Sequence, residues 1–255
     1  MKFPGHALLL LALLGASCAF AGAAVPVRVL VVGDSLSVGP FGRVLEASLQ
    51  RRYGPGGVCV FASCGSSPED WLRNTPVFVT PCGYRQTAPG RSLVLDWNQG
   101  RRPRPVRTPK LPRILASYRP GKVIVQLGTN WMDALAGSDN WDEAAHRKVI
   151  ADFVGELRQT PGQKPDIIWV LPPSSAKYPA RVHRAVEKWI TDASRDLHFK
   201  TISSRGITGP YRTGATGADG VHYADKAGTQ WANGVLRELA RFERAFPLAP
   251  ARAGY

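Results

Sequence analysis

Four short runs built on contiguous apolar residues recur along the chain: Val27–Val32, Val58–Ala62, Lys122–Leu127 and Asp166–Leu171. A strand with one wet face alternates apolar and polar residues. A strand apolar at successive positions must be covered on both faces, as in a parallel sheet sandwiched between helices. The intervening segments supply the helices. Phe41–Tyr53 carries Val44, Leu45 and Leu49 at helical spacing and stops at Gly54-Pro55, while Asp142–Gln159 and Pro179–Leu197 are longer helical stretches. Leu111–Tyr118 reads as a short helix. Asp225–Phe246 is amphipathic, with Trp231, Val235, Leu239 and Phe242 on one face. A weaker strand, Phe199–Ile202, makes five. The expected architecture is a single α/β domain, a three-layer α/β/α sandwich around a mostly parallel five-stranded sheet.

One region breaks this rhythm. Residues 63–110 are rich in Pro, Gly and Arg, with one strand-like piece, Ser92–Asp96. A structureless loop of that length is unusual inside a compact domain, so the segment is expected to form a local hairpin or an excursion beside the site. Its later part holds Arg101, Arg102, Arg104, Arg107 and Lys110, with Arg113 and Arg119 just beyond, and no acid among them. Pro103, Pro105, Pro109 and Pro112 favour an extended surface path over a helix. That path is either a solvated connection or a substrate-facing one.

The first residues have another purpose. Lys2 and His6 precede the apolar run Ala7–Leu14, followed by small residues and A-x-A sites ending at Ala21 and Ala23. Residues 1–23 are expected to be a signal peptide, too short and wrongly flanked for a membrane span. Cys18 lacks the upstream aliphatic residue of a lipid-attachment site. The mature domain is then 24–246, with 247–255 a tail, exported to the periplasm or beyond. In an oxidising compartment two of Cys59, Cys64 and Cys82 can pair, although three free thiols are also conceivable. Cys59 lies within an apolar strand, so Cys64–Cys82 is the expected bridge. Closing a loop of about 19 residues would contribute roughly 3 kcal/mol. The formal charge of +14 suits anionic surroundings, such as an acidic polysaccharide, a cell-wall polymer or a membrane surface. For an exported chain nucleic acid is not the expected partner, and no stable membrane insertion is expected.

The polar residues at the strand ends carry the chemistry. After the first strand comes Gly33-Asp34-Ser35-Leu36; after the second, Ser63-Cys64-Gly65-Ser66-Ser67; after the third, Gly128-Thr129-Asn130. Open α/β sheets bind ligands at the carboxyl ends of their strands. A serine hydroxyl there needs a base to become a nucleophile. Asp219-Gly220-Val221-His222, before the last helix, offers one, because this spacing lets the carboxylate reach Nδ1 and leave Nε2 free. His146, His183 and His198 lie in ordinary helical or strand-edge sequence, and Asp34 is expected to brace its loop. No Cys, His and carboxylate group has metal-ligand spacing, so neither a metal nor another cofactor is expected.

These four blocks, in this order across the mature chain, resemble the SGNH (GDSL-type) hydrolases, whose sheet is flavodoxin-like. The resemblance implies a serine esterase with Ser35 as nucleophile, His222 as base and Asp219 as its orienting partner. It also implies an oxyanion hole from the Ser35 and Gly65 amides and the Asn130 side chain. The third block often reads GxND, but here Trp131 follows Asn130, and it is expected as an aromatic wall of the substrate pocket. The expected substrate is a small-molecule or glycan ester, with acetyl the first choice of acyl group. Two alternatives stand beside it: an O-acetyltransferase using the same residues, and a non-catalytic glycan-binding protein on the same scaffold.

Overall fold

The computed structural model describes residues 27–96, 103–160, 162 and 164–245. The expected signal peptide and tail therefore lie outside the described residues. In chain order the elements are β1 (Val29–Gly33), α1 (Ser35–Val38), α2 (Pro40–Tyr53), β2 (Val58–Ser63), β3 (Val79–Thr80), β4 (Tyr84–Ala88), β5 (Arg91–Leu95) and β6 (Val106–Arg107). They continue with α3 (Leu111–Tyr118), β7 (Lys122–Gln126), α4 (Trp131–Ala136), α5 (Glu143–Arg158), β8 (Asp166–Val170), α6 (Ala180–Asp196), β9 (Lys200–Ile202), α7 (Ser204–Thr208) and α8 (Asp225–Ala245).

The main sheet runs β5-β4-β2-β1-β7-β8-β9. It has seven strands, a correction to the expected five. The five expected strands are all present and mutually parallel, with Val29 opposite both Val58 and Lys122. Two further strands form the β4–β5 hairpin, antiparallel to the edge of β2. The 63–110 excursion thus contains a local hairpin, with β3 and β6 pairing separately. β4 escapes periodicity analysis because both its faces are buried and one carries Arg85, the other Gln86. Arg85 donates to Glu46 Oε2 at 3.0 Å and, through Nε and Nη2, to the carbonyl of Val38. Tyr84 Oη donates to Gln86. The partners of Arg85 lie elsewhere in the fold, and no local pattern encodes them.

Both sheet faces are covered, as the contiguous apolar runs require. Leu30, Val32, Val123, Val125, Ile167 and Trp169 face a core with Leu115 of α3, Phe153 of α5 and Val186 of α6. Val29, Val31, Ile124, Ile168 and Val170 face the opposite core, with Phe41, Leu45 and Leu49 of α2 and Trp231, Val235 and Leu239 of α8. Each such buried aliphatic or aromatic side chain contributes roughly 1.5–3 kcal/mol. Phe41 stacks on Trp231 with ring centroids 3.7 Å apart, locking α2 to α8. The two connections out of the middle of the sheet diverge between β1 and β7, at the topological switch point where such sheets place their ligands. Among the described residues no helix is long and apolar enough to cross a membrane.

Candidate active site

β1 ends at Gly33, and the chain turns at once into α1. The turn demands glycine, since a Cβ there would lie 2.2 Å from Ser37 Oγ. Asp34 caps the short helix, accepting from the Leu36 amide at 2.9 Å. That leaves Ser35 as the first helical residue, half-buried at the strand's carboxyl end. Behind it, Ser37 Oγ donates to Gln126 Oε1 at 2.7 Å and the Asp34 amide donates to the Gln126 carbonyl, tying the turn to β7. Asp34 itself is wholly buried. Burial pushes its carboxyl up to about 6, against the opposing pull of the Leu36 amide and of Gln126, Thr129 and His222. Its second oxygen, Gln126 Nε2 and Thr129 Oγ1 all lack a hydrogen bond of good geometry. The brace expected of Asp34 is therefore real but only half satisfied.

Asp219 and His222 lie in the loop between α7 and α8. One carboxylate oxygen of Asp219 accepts the amides of Val221 (2.9 Å) and His222 (2.8 Å), and the other is 2.5 Å from His222 Nδ1. Burial alone would raise the Asp219 pKa, but these hydrogen bonds outweigh it and hold the carboxyl below its usual range. Nδ1 is thereby committed and Nε2 left for a substrate or nucleophile. The loop is pinned from outside as well. The Gly220 carbonyl accepts from the Ala176 and Lys177 amides, Tyr211 Oη donates to the His222 carbonyl at 2.9 Å, and Tyr223 Oη donates to that of Ser174. Gly217 must be glycine, because a Cβ there would sit 1.8 Å from the His222 oxygen.

Ser35, Asp219 and His222 line one cavity of about 580 Å³. Leu36, Val38, Phe41, Tyr223 and Trp231 supply its apolar walls, and Cys64, Cys82 and Asp96 close the side formed by the 63–110 excursion. Cys64 and Cys82 are bonded to each other, and Cys59 is free and buried, its thiol pushed up to about 12 by burial. Periodicity could not have found Asp96 or Tyr211; each takes its position from tertiary contacts.

Asn130 is hydrogen-bonded into the loop that carries Gly65, and neither residue lines the cavity. Gly65 adopts φ +85° in the turn after β2, and Asn130 Nδ2 donates to the Ser66 carbonyl at 2.8 Å. An amide nitrogen has two hydrogens, so a second donor remains at Asn130. Trp131 corrects another expectation. It is buried, with its indole N–H on the Glu69 carboxylate (2.9 Å) and its ring edge-on to His146, so it braces the core instead of walling the cavity. Of the three set-aside histidines, His146 packs between Trp131 and Trp189, while His198 is exposed. His183 is buried near Ser175 Oγ, with its pKa pushed down to about 4 by burial and by Arg205.

No family model and no curated protein matches the chain. Solved structures do. The esterase EstA from Pseudoalteromonas sp. aligns with 85% of this chain and 98% of its own at 14% identity and a TM-score of 0.58. A peptidoglycan O-acetylesterase aligns with 88% of this chain and 93% of its own at 16% identity and 0.56. Est24, a carbohydrate acetylesterase from Sinorhizobium meliloti, gives 85% and 99% at 15% identity and 0.55. A GDSL-like lipase from Bacteroides thetaiotaomicron is also similar, with a TM-score of 0.54. The parallel order through β2, β1, β7, β8 and β9, the serine turn after β1 and these likenesses lead to one conclusion: the chain has the SGNH (GDSL-type) hydrolase fold.

Proposed function

We propose that the protein is an exported serine esterase that removes small acyl groups, acetyl foremost, from a carbohydrate. The observation that carries this reading is the Asp219–His222 pair, with Nδ1 committed and Nε2 free, sharing a cavity with Ser35. His222 Nε2 takes the Ser35 proton as Oγ attacks the ester carbonyl. The developing oxyanion is held by the Ser35 and Gly65 amides and the remaining Asn130 amide hydrogen. Collapse of the tetrahedral intermediate expels the alcohol, which receives its proton from His222. Water activated by the same imidazole then releases the acyl group as the acid. Asp219 holds the ring in the productive tautomer and offsets its charge.

Two of the similar structures, a peptidoglycan O-acetylesterase and a carbohydrate acetylesterase, favour an acetylated sugar as substrate. The apolar leader, Ala7–Leu14, and the Cys64–Cys82 bridge favour export. Turnover of p-nitrophenyl acetate and acetate release from acetylated glycans test the chemistry. Ser35→Ala should abolish both, and Asn130→Ala should cost about 10²–10³ in kcat. Unchanged turnover in Ser35→Ala would remove the serine from the mechanism.

A further inference from the structure

A second cavity, of about 390 Å³, lies beside the first, and the two share Tyr223 and Trp231 as a common wall. Their charges are opposite. The cavity holding Ser35 has Asp96, Asp219 and Asp225 in its walls and, among the described residues, neither lysine nor arginine. The neighbouring cavity has Arg212 and Lys226 and no carboxylate among its described walls. The boundary falls between consecutive residues at the start of α8, with Asp225 facing one side and Lys226 the other. Asp225 is engaged by Arg43 at 2.7 Å. Among the described residues the Arg212 and Lys226 side chains make no hydrogen bond or ion pair. Thr216 and Gln230 add side-chain donors to the same walls.

Resting on the esterase reading, we propose that the substrate is an acylated polyanionic glycan, and that Arg212 and Lys226 bind an anionic group of the chain next to the acylated sugar. The physical argument is charge sorting. A cleft lined by one sign of charge concentrates ligands of the other sign, and a like charge placed in it is repelled. In the Ser35 cavity Asp219 and Asp225 already have His222 and Arg43 as partners, whereas Arg212 and Lys226 keep their charge for a ligand. An anionic unit is therefore drawn to the cationic cavity, and the neutral acyl ester is left to face Ser35. The +14 formal charge of the chain concentrates polyanions generally. The division between the two cavities orients them. Arg212 supplies a planar fork suited to carboxylate or phosphate, and Lys226 a point charge beside it.

The decisive measurement is equilibrium binding in a Ser35→Ala background, where no ligand is consumed. The ligands are an O-acetylated polyuronate, an O-acetylated phosphate polymer and a neutral O-acetylated xylan. Arg212→Gln combined with Lys226→Gln should weaken the anionic ligands about tenfold and the neutral one less than about twofold. Arg212→Glu should weaken the anionic ligands further. Raising the ionic strength to about 0.5 M, where screening acts over roughly 4 Å, should erase the difference between parent and variant. The two anionic arms tell carboxylate from phosphate. An equal loss for neutral and anionic ligands, or no loss for either, would overturn the proposal. So would reduced adsorption to anionic lipid vesicles with glycan binding intact. Circular dichroism and Tm on the same samples confirm that the variants are folded. p-Nitrophenyl acetate turnover by the parent protein reports separately on the esterase chemistry, so a failure there is distinguishable from a failure of the subsite.

Discussion

Replacing Asp34 by Asn isolates the electrostatic cost of the turn that presents Ser35. The carboxyl is wholly buried and is raised from 3.8 to about 6, with burial the leading cause. Its proton is thus bound more tightly in the folded than in the unfolded chain. The stability this group contributes is complete below about pH 3.8 and declines as pH rises through about 6. A shift of about two units corresponds to roughly 3 kcal/mol. Asparagine keeps the oxygen that accepts the Leu36 amide. In place of the second oxygen, which has no good hydrogen bond, it offers an NH₂ near the unpartnered Thr129 hydroxyl. The expected outcome is a variant more stable than the parent at pH 8 by up to about 3 kcal/mol, with the gap closing toward pH 4. Urea unfolding across that range measures the difference directly. Parallel stability curves for the two proteins would refute the reasoning, because they would mean that Asp34 titrates alike in both states. The ionised Asp34 also attracts the His222 imidazolium. The variant should therefore lose turnover at neutral pH while gaining stability.

Further outcomes follow from other parts of the fold. Cys64→Ser opens a bridge spanning 18 positions and should cost about 3 kcal/mol by chain entropy, read as a lower urea midpoint. Because Cys64 and Cys82 also wall the cavity, the reductant-treated parent should show a raised KM. An unchanged midpoint would mean that the unfolded chain does not exploit the freedom released. Glu46→Gln removes the charge partner of Arg85, and the two side chains are 11% and 8% exposed. The loss should be about 3 kcal/mol, and Glu46→Gln with Arg85→Met should recover part of it. No recovery in the double variant would show that Arg85 matters for its two bonds to Val38 instead.

How much could be read from the residues alone depended on the range of the interaction that decides each feature. The five parallel strands and the long helices were legible because burial on both faces forces contiguous apolar residues, and burial on one face forces helical spacing. The Asp219–His222 contact was legible because three-residue spacing on one loop is a local constraint. The Cys64–Cys82 pairing followed from excluding Cys59, whose strand is apolar on both sides. The short helices α1, α4 and α7 and the β3–β6 pair carry too few residues for any period to register.

Other features needed the tertiary structure. β4 was hidden because Arg85 looks like a surface residue until Glu46 and the Val38 carbonyl are placed around it. Trp131 follows the Asn130 turn in sequence, yet the Glu69 carboxylate, brought by the excursion after β2, draws its indole into the core. The sign of each cavity depends on which charged side chains converge from distant segments, so a net charge of +14 says nothing about the carboxylates beside Ser35. The sequence by itself determined the layers of the sandwich and the chemical types at its strand ends, because backbone periodicity and neighbouring residues set both. Only the tertiary structure decided which of those groups share a cavity, because that depends on contacts between residues a hundred or more positions apart.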